Sequence, residues 1–349
     1  MSAATPNTAA SWAHCVSAFL RPFAADLSDE LCVVLGSGLW LGLEQRTGFD
    51  ERLPARAAAR ALRPDNPMAM EHLSEVLHYP LMTYRRAHGS QTYWLVRRAL
   101  SSKKTIIKLS DRVFHPAEGA PESPVYALVS GVSGTDALPA RSPEEWRDEA
   151  VAIDLDFGGG TTLRLPSSEL ARHWLRAYDK DFSTEFYAFL PAHNHDRDDD
   201  KARPSPVEEQ WRLALARQYY LLHSTGLAAV RGVSTLAFLR DELRAAGGAS
   251  RSCARQQAAL LARATTSSGD MSRGLFAAGL AQLRTRGARG LEEPIGRYLE
   301  AAESWTSCSI QVAEPAACTR ADLLGVYDAI EAKERAALES LREPLAGWI

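Results

Sequence analysis

The chain has 349 residues and a formal net charge of −3, with 40 Lys and Arg set among 43 Asp and Glu. That length allows two domains, and the scattered basic residues lack the one-sided patch a nucleic-acid reader needs, so no nucleic-acid partner is expected. Apolar residues make up 46% of the chain, yet no stretch approaches the roughly 18 consecutive apolar residues of a membrane span, and residues 1–14 lack the basic and apolar regions of a secretory signal. The expectation is a cytoplasmic protein with no membrane partner.

The first periodic stretch opens at His14-Cys15. Val16, Phe19, Leu20 and Phe23 recur at i, i+3, i+4 and i+7, the spacing of one helix face. This pattern predicts Cys15 near the helix start, where the helix dipole favours the thiolate that attacks carbonyl carbon. A second helix is expected after Ser28, with Asp29 and Glu30 in its first turn, running into Gly36-Ser37-Gly38. Residues 44–70 are rich in Arg, Ala and Pro and predict a partly helical surface segment; residues 68–77 predict a helix and residues 79–84 alternate like a strand.

Residues 91–100 predict a further helix, and residues 105–109 a short β-branched strand. Residues 125–131 form a near-continuous apolar run, the pattern of a strand covered on both faces. A third strand over residues 150–156 ends at Gly158-Gly159-Gly160, with residues 161–165 closing a hairpin. A helix is expected from Pro166 through Trp174, and a last strand over residues 182–190. The segment His193-Asn194-His195-Asp196 with Asp198, Asp199 and Asp200 is bracketed by Pro191 and Pro204 and reads as a solvated linker, not a metal cluster.

From Glu208 onward the periodicity is helical, over residues 208–222, 233–246, 252–265, 275–284, 291–309 and 321–345, without an internal repeat. The chain is therefore expected to divide near residues 191–206 into an α+β front domain, residues 1–192, and an all-α domain, residues 205–349. The five cysteines, Cys15, Cys32, Cys253, Cys308 and Cys318, are odd in number and form no CxxC pair, so they read as thiols outside any disulfide framework or zinc site. A helical front half carrying a cysteine, followed by strands able to supply a base and its orienter, is also the element order of papain-like folds.

The order His14-Cys15, then about a dozen residues, then Leu27-Ser28-Asp29-Glu30-Leu31 and Leu35-Gly36-Ser37-Gly38-Leu39, resembles the N-terminal domain of the butirosin biosynthesis protein H family. Residues 269–276, Tyr298-Leu299 and Ser304-Trp305 resemble the helical domain that accompanies it. Members of that family are papain-like cysteine proteins that move acyl groups from carrier-protein thioesters to amines. The resemblance implies a papain-like domain followed by a helical one, with Cys15 as nucleophile and no cofactor or metal. It implies as partners an acyl carrier protein bearing an acyl-phosphopantetheine thioester and a small amine acceptor. The family's orienting Asp matches Asp156, with Asp154 as the alternative.

The family's histidine, by contrast, begins the strand that here opens Pro124-Val125, and neither residue can carry a proton. His115, in Phe114-His115-Pro116, and His14, beside the nucleophile, are the alternatives for the base; without either, Asp111 or the acceptor amine would manage the proton. Three functions follow. One is amide-forming acyl transfer through an acyl-enzyme on Cys15 in natural-product (antibiotic) biosynthesis. Another is a non-catalytic relative that binds a carrier-bound intermediate or partner enzyme, and the last is a processing peptidase. Oligomeric state is not encoded in any of these features.

Overall fold

The computed structural model describes residues 8–22, 24, 26–46, 59–65, 68–87, 95, 104–110, 113–114, 124–133, 151–173, 183–189, 207–223, 232–247, 250–266 and 269–349. In chain order the elements are α1 (Thr8–Leu20), α2 (Asp29–Leu35), β1 (Leu39–Arg46), β2 (Ala59–Asp65), α3 (Ala69–Leu77), β3 (Leu81–Ala87), β4 (Ile106–Ser110), β5 (Pro124–Ser133), β6 (Ala152–Asp156) and β7 (Thr162–Pro166). They continue with α4 (Ser167–His173), β8 (Ser183–Phe189), α5 (Val207–His223), α6 (Ser234–Ala245), α7 (Ser250–Thr266), α8 (Arg273–Thr285), α9 (Glu292–Gln311) and α10 (Arg320–Ser340). The protein is α+β, and no described helix is long and apolar enough to cross a membrane.

Two compact units divide the chain: Met1–Asp29 with Leu77–Arg203, and Glu30–Val76 with Pro204–Ile349. The expected split into residues 1–192 and 205–349 is therefore corrected in one respect, since residues 30–76 group with the C-terminal helices. Residues 191–206 lie outside the described residues, as does most of the helix expected over residues 91–100.

The front unit is built on a six-stranded antiparallel sheet in the order β3-β8-β4-β5-β6-β7. Its centre is β5, where Val125, Tyr126, Ala127, Leu128 and Val129 are all buried, as the unbroken apolar run required. On one face Val125, Ala127 and Val129 join Ile107, Leu109, Ile153 and Leu155 in a single core cluster. Helix α1 packs against β5, and the backbone N–H of Tyr126 donates to Ser11 Oγ at 3.1 Å. The helix starts at Thr8, well before His14, so Trp12 and Ala13 are helical core residues rather than a lead-in.

In the second unit, the described part of residues 44–65 is not helical: β2 (Ala59–Asp65) pairs antiparallel with β1 (Leu39–Arg46), and residues 47–58 lie outside the described residues. A register shift between Leu39 and Gly42 leaves backbone groups of β1 without ladder partners, and unpaired buried groups are costly. Other segments of the unit satisfy them. The Gln218 side chain accepts from Leu39 N–H at 3.0 Å and donates to Leu39 C=O at 2.9 Å, while Gly232 N–H and Thr235 Oγ1 both donate to Leu41 C=O. These non-local bonds explain why residues 30–76 join the helices. The break after α2 also differs in detail, because the left-handed residue is Ser37 (φ 51°) rather than either flanking glycine. Its hydroxyl donates to Ala214 C=O at 2.8 Å, a bond glycine could not make.

The helices follow their predicted ranges closely. Thr319 and Asp322 form a reciprocal capping box at the start of α10, satisfying two otherwise orphan N–H groups. At the centre of the unit, Arg273 and Glu334, 0% and 1% exposed, form an ion pair at 2.7 Å, and Trp305 Nε1–H donates to the same carboxylate at 2.6 Å. Arg273 also donates to Met271 C=O at 2.7 Å. Removing one member of a buried pair strands the other's charge, so Glu334→Ala is expected to cost about 3–5 kcal/mol. Denaturant unfolding of the full chain measures this; a loss below about 1 kcal/mol would show that the pair is dispensable.

Candidate functional site

The residues singled out in the sequence meet where α1 packs on the sheet. Trp12, Cys15, Val16 and Phe19 occupy one face of α1 at helical spacing, and all four are buried. Cys15 is 0% exposed, and its Sγ lies 4.0 Å from the Asp156 carbonyl oxygen at the end of β6. Burial pushes the Cys15 thiol well above its ordinary pKa, and the negative charges of Asp156 and Asp29 push it further.

This corrects the expectation of a thiolate at a helix start. Cys15 stands about two turns inside a helix that begins at Thr8, whereas the dipole effect fades within the first turn. Even at its strongest that effect is worth about 0.3–1 kcal/mol, against several kcal/mol for desolvating an ionised group. Desolvation therefore decides the protonation state, and Cys15 is held as a thiol.

His14 points to the margin of the packed face, its side chain 20% exposed. Its Nδ1 lies 3.3 Å from Asp29 Oδ2, and its Nε2 lies 3.3 Å from Asp156 Oδ2. A neutral imidazole has one N–H to donate; only the imidazolium donates to both carboxylates. The hydrogen bond to Asp29 accordingly raises the His14 pKa most, with Asp156 adding to it, and together they outweigh the opposing effect of burial. Burial pushes Asp29 upward, but hydrogen bonds from His14 and from the Ser17 hydroxyl prevail and hold its pKa below the usual carboxylate value.

The turn after β6 fixes Asp156. Its Oδ1 accepts from Gly158 N–H at 2.9 Å, and Thr161 N–H donates to Gly158 C=O at 2.9 Å. Gly158 has φ 84°, and a Cβ there would sit 2.6 Å from His14 Cγ, so the glycine leaves the space that the imidazole fills. Asp154 lies two residues before Asp156, on the same face of β6 by strand alternation, but engages different groups. It faces Arg164 at 3.7 Å, and its carboxylate occupies the space a Gly131 side chain would fill.

Of the sequence-derived candidates, Cys15, His14 and Asp156 are thus brought together. Phe114 packs edge-on against Phe157 with ring centroids 4.9 Å apart, but His115 and Asp111 lie outside the described residues. The sequence reading named Asp29 only as a helix-start acid and did not mark Ser17 or Gly158 for the site. A first-turn acid is legible in sequence, but its reach back to a side chain 15 positions earlier is not. Among the described residues, no group of three or more His, Cys, Asp or Glu is arranged to hold a metal ion. The sequence matches no protein-family model, and no curated protein matches it.

What this cluster supplies is a positioned, proton-rich imidazole beside a sealed thiol. Its stability contribution follows from the two shifts. The raised His14 pKa adds stability that is complete below its unfolded value near 6.5 and is lost as pH rises through the higher folded value. The lowered Asp29 pKa adds stability that is complete above its unfolded value near 3.9 and is lost as pH falls through the lower folded value. Relative to wild type, His14→Gln is therefore expected to be destabilised by about 1–2 kcal/mol near pH 5.5 and by less near pH 8. Unfolding curves at the two pH values test it; an equal deficit at both would contradict the charged-imidazole assignment.

The thiols are expected to react in an order that reverses the sequence expectation. Iodoacetamide near neutral pH should modify the partly exposed Cys253 and Cys318 before the buried Cys15, Cys32 and Cys308. Peptide mapping reads the order. First labelling at Cys15 in the folded chain would show that its burial is readily broken.

Proposed function

We propose that the front unit is a papain-like, butirosin H-type domain that binds a carrier-bound acyl thioester without taking the acyl group onto Cys15. The helical unit is its accompanying C-terminal domain. The observation that carries this reading is the burial of Cys15, since acyl-enzyme formation needs a thiolate that a donor carbonyl can reach. The residue at the start of β5 points the same way: it is Pro124, where the family carries its base. A binding role asks nothing of the thiol and leaves His14, Asp29 and Asp156 as a fixed hydrogen-bonded cluster at the margin of the packed face.

One observation favours a second reading, amide-forming acyl transfer through Cys15. Asp156, matched to the family's orienter, does reach His14 beside the thiol, with its carbonyl oxygen at the sulfur. In that reading the turn at residues 157–161 must open to admit the donor, the thiolate attacks the thioester carbonyl and expels the carrier thiol, and an amine then displaces Cys15 to leave an amide.

Intact-protein mass spectrometry of the full chain incubated with an acyl carrier protein thioester separates the two. The binding reading expects no acyl mass on the chain, with carrier association measured by calorimetry and unchanged in Cys15→Ala. An acyl adduct that disappears in Cys15→Ala would establish acyl transfer instead. Absence of both adduct and association would overturn both readings.

A further inference from the structure

A groove of about 970 Å³ opens between α9, α10 and the turn that joins them, in the helical unit, and no residue of the site above lines it. Its floor is apolar, with Leu323, Val326 and Ile330 buried beneath it, and Ile310 stands 72% exposed on its wall.

The rim is acidic. Four carboxylates line it, those of Glu300, Glu303, Glu314 and Asp322, against a single cation, Lys333. Lys333 is bound by Glu300 at 2.8 Å, and Asp322 is engaged in the helix cap. Glu303 and Glu314 pair with no cation among the described residues.

Gly325 supplies an independent observation. It lies inside α10 and lines the groove, with Ala321 and Ala329 one turn to either side of it. A Cβ at Gly325 would meet nothing within 4 Å. A glycine inside a helix costs about 1 kcal/mol relative to alanine, and no neighbour among the described residues requires it here. Small residues on a helix face let a second helix approach its backbone closely.

We propose that this groove docks a cationic amphipathic helix of a partner protein. Its backbone crosses α10 at Gly325, its apolar side chains lie on Leu323, Val326 and Ile330, and its Lys or Arg side chains meet Glu303 and Glu314. The lining of α10 from Ala321 to Lys333 spans roughly 18 Å, which accommodates about three helical turns.

Cys318 lines the groove and is partly exposed, whereas the partly exposed Cys253 does not line it. A synthetic amphipathic Leu/Lys helix, its Leu/Glu counterpart and dodecylamine are offered to the full chain, and alkylation of the two cysteines is followed by peptide mapping. The Leu/Lys helix is expected to slow modification of Cys318 several-fold and leave Cys253 unaffected, and the Leu/Glu helix to protect neither. Gly325→Leu, which fills open space, should fold as wild type and bind the Leu/Lys helix at least about tenfold more weakly by fluorescence anisotropy. Gly296→Leu, at a helical glycine whose Cβ also meets open space but which does not line the groove, should bind as wild type. The proposal is overturned by equal protection from the Leu/Glu helix, by wild-type affinity in Gly325→Leu, by its failure to fold, or by binding of dodecylamine alone.

Discussion

An α-helix buries one stripe of its surface, and in α1 that stripe carries Cys15. Trp12, Val16 and Phe19 pack with it against the sheet, so the sulfur shares the environment of the core rather than that of a cleft. The neighbouring residue is turned by about 100° around the helix and emerges at the edge of the contact. His14 is therefore the group of the His-Cys pair that α1 presents to charged partners. Its position then depends on two acids from distant segments, Asp29 at the start of α2 and Asp156 at the end of β6.

Competing effects on this cluster are settled by size and sign. For Cys15 every large contribution acts in one direction, because burial and both carboxylates disfavour the thiolate. For His14 burial opposes the charge, but two carboxylates favour it and win. The same pair of acids thus keeps one group protonated by attraction and its neighbour protonated by repulsion. A cluster of this kind is poor at generating a sulfur nucleophile, and the charge of its imidazolium is already matched by the two carboxylates that hold it. That is the physical reason for preferring ligand binding over covalent capture.

Local signals in the sequence were sufficient for the strands of the sheet and for the C-terminal helices. The apolar run at residues 125–131 foretold a doubly covered strand, and alternation over residues 150–156 puts Ile153 and Leu155 on the buried face of β6 and Asp154 and Asp156 on the other. What failed was reading against weak or non-local signals. The start of α1 was misplaced because Thr8, Ala9 and Ala10 carry no apolar stripe, and with it went the inference that Cys15 feels the helix dipole. The β1–β2 ladder was missed because Arg, Ala and Pro dominate residues 44–70; its buried backbone groups are satisfied by Gln218, Gly232 and Thr235, which no window around β1 contains. Ser37 shows the same limit, taking the left-handed position beside two glycines because its hydroxyl has a partner 177 positions away.

The glycines give the clearest measure of what a chain's own packing explains. A Cβ at Gly279 would lie 2.4 Å from Glu30 C=O, so the close passage of α8 over α2 accounts for that residue. Gly158 is accounted for by the His14 ring and by its positive φ. Each lost side chain is offset by a contact that only its absence permits, and in both cases the contacting atoms belong to this chain. Gly325 breaks that pattern: it pays the helix-propensity cost of about 1 kcal/mol at an exposed position, with no atom of the described residues in the space released. Its setting differs from that of Gly296, equally open, in lining a groove with an apolar floor where Glu303 and Glu314 pair with no cation among the described residues. An internal packing account covers Gly158 and Gly279 and leaves Gly325, like Gly296, without a described contact in the space its missing side chain releases.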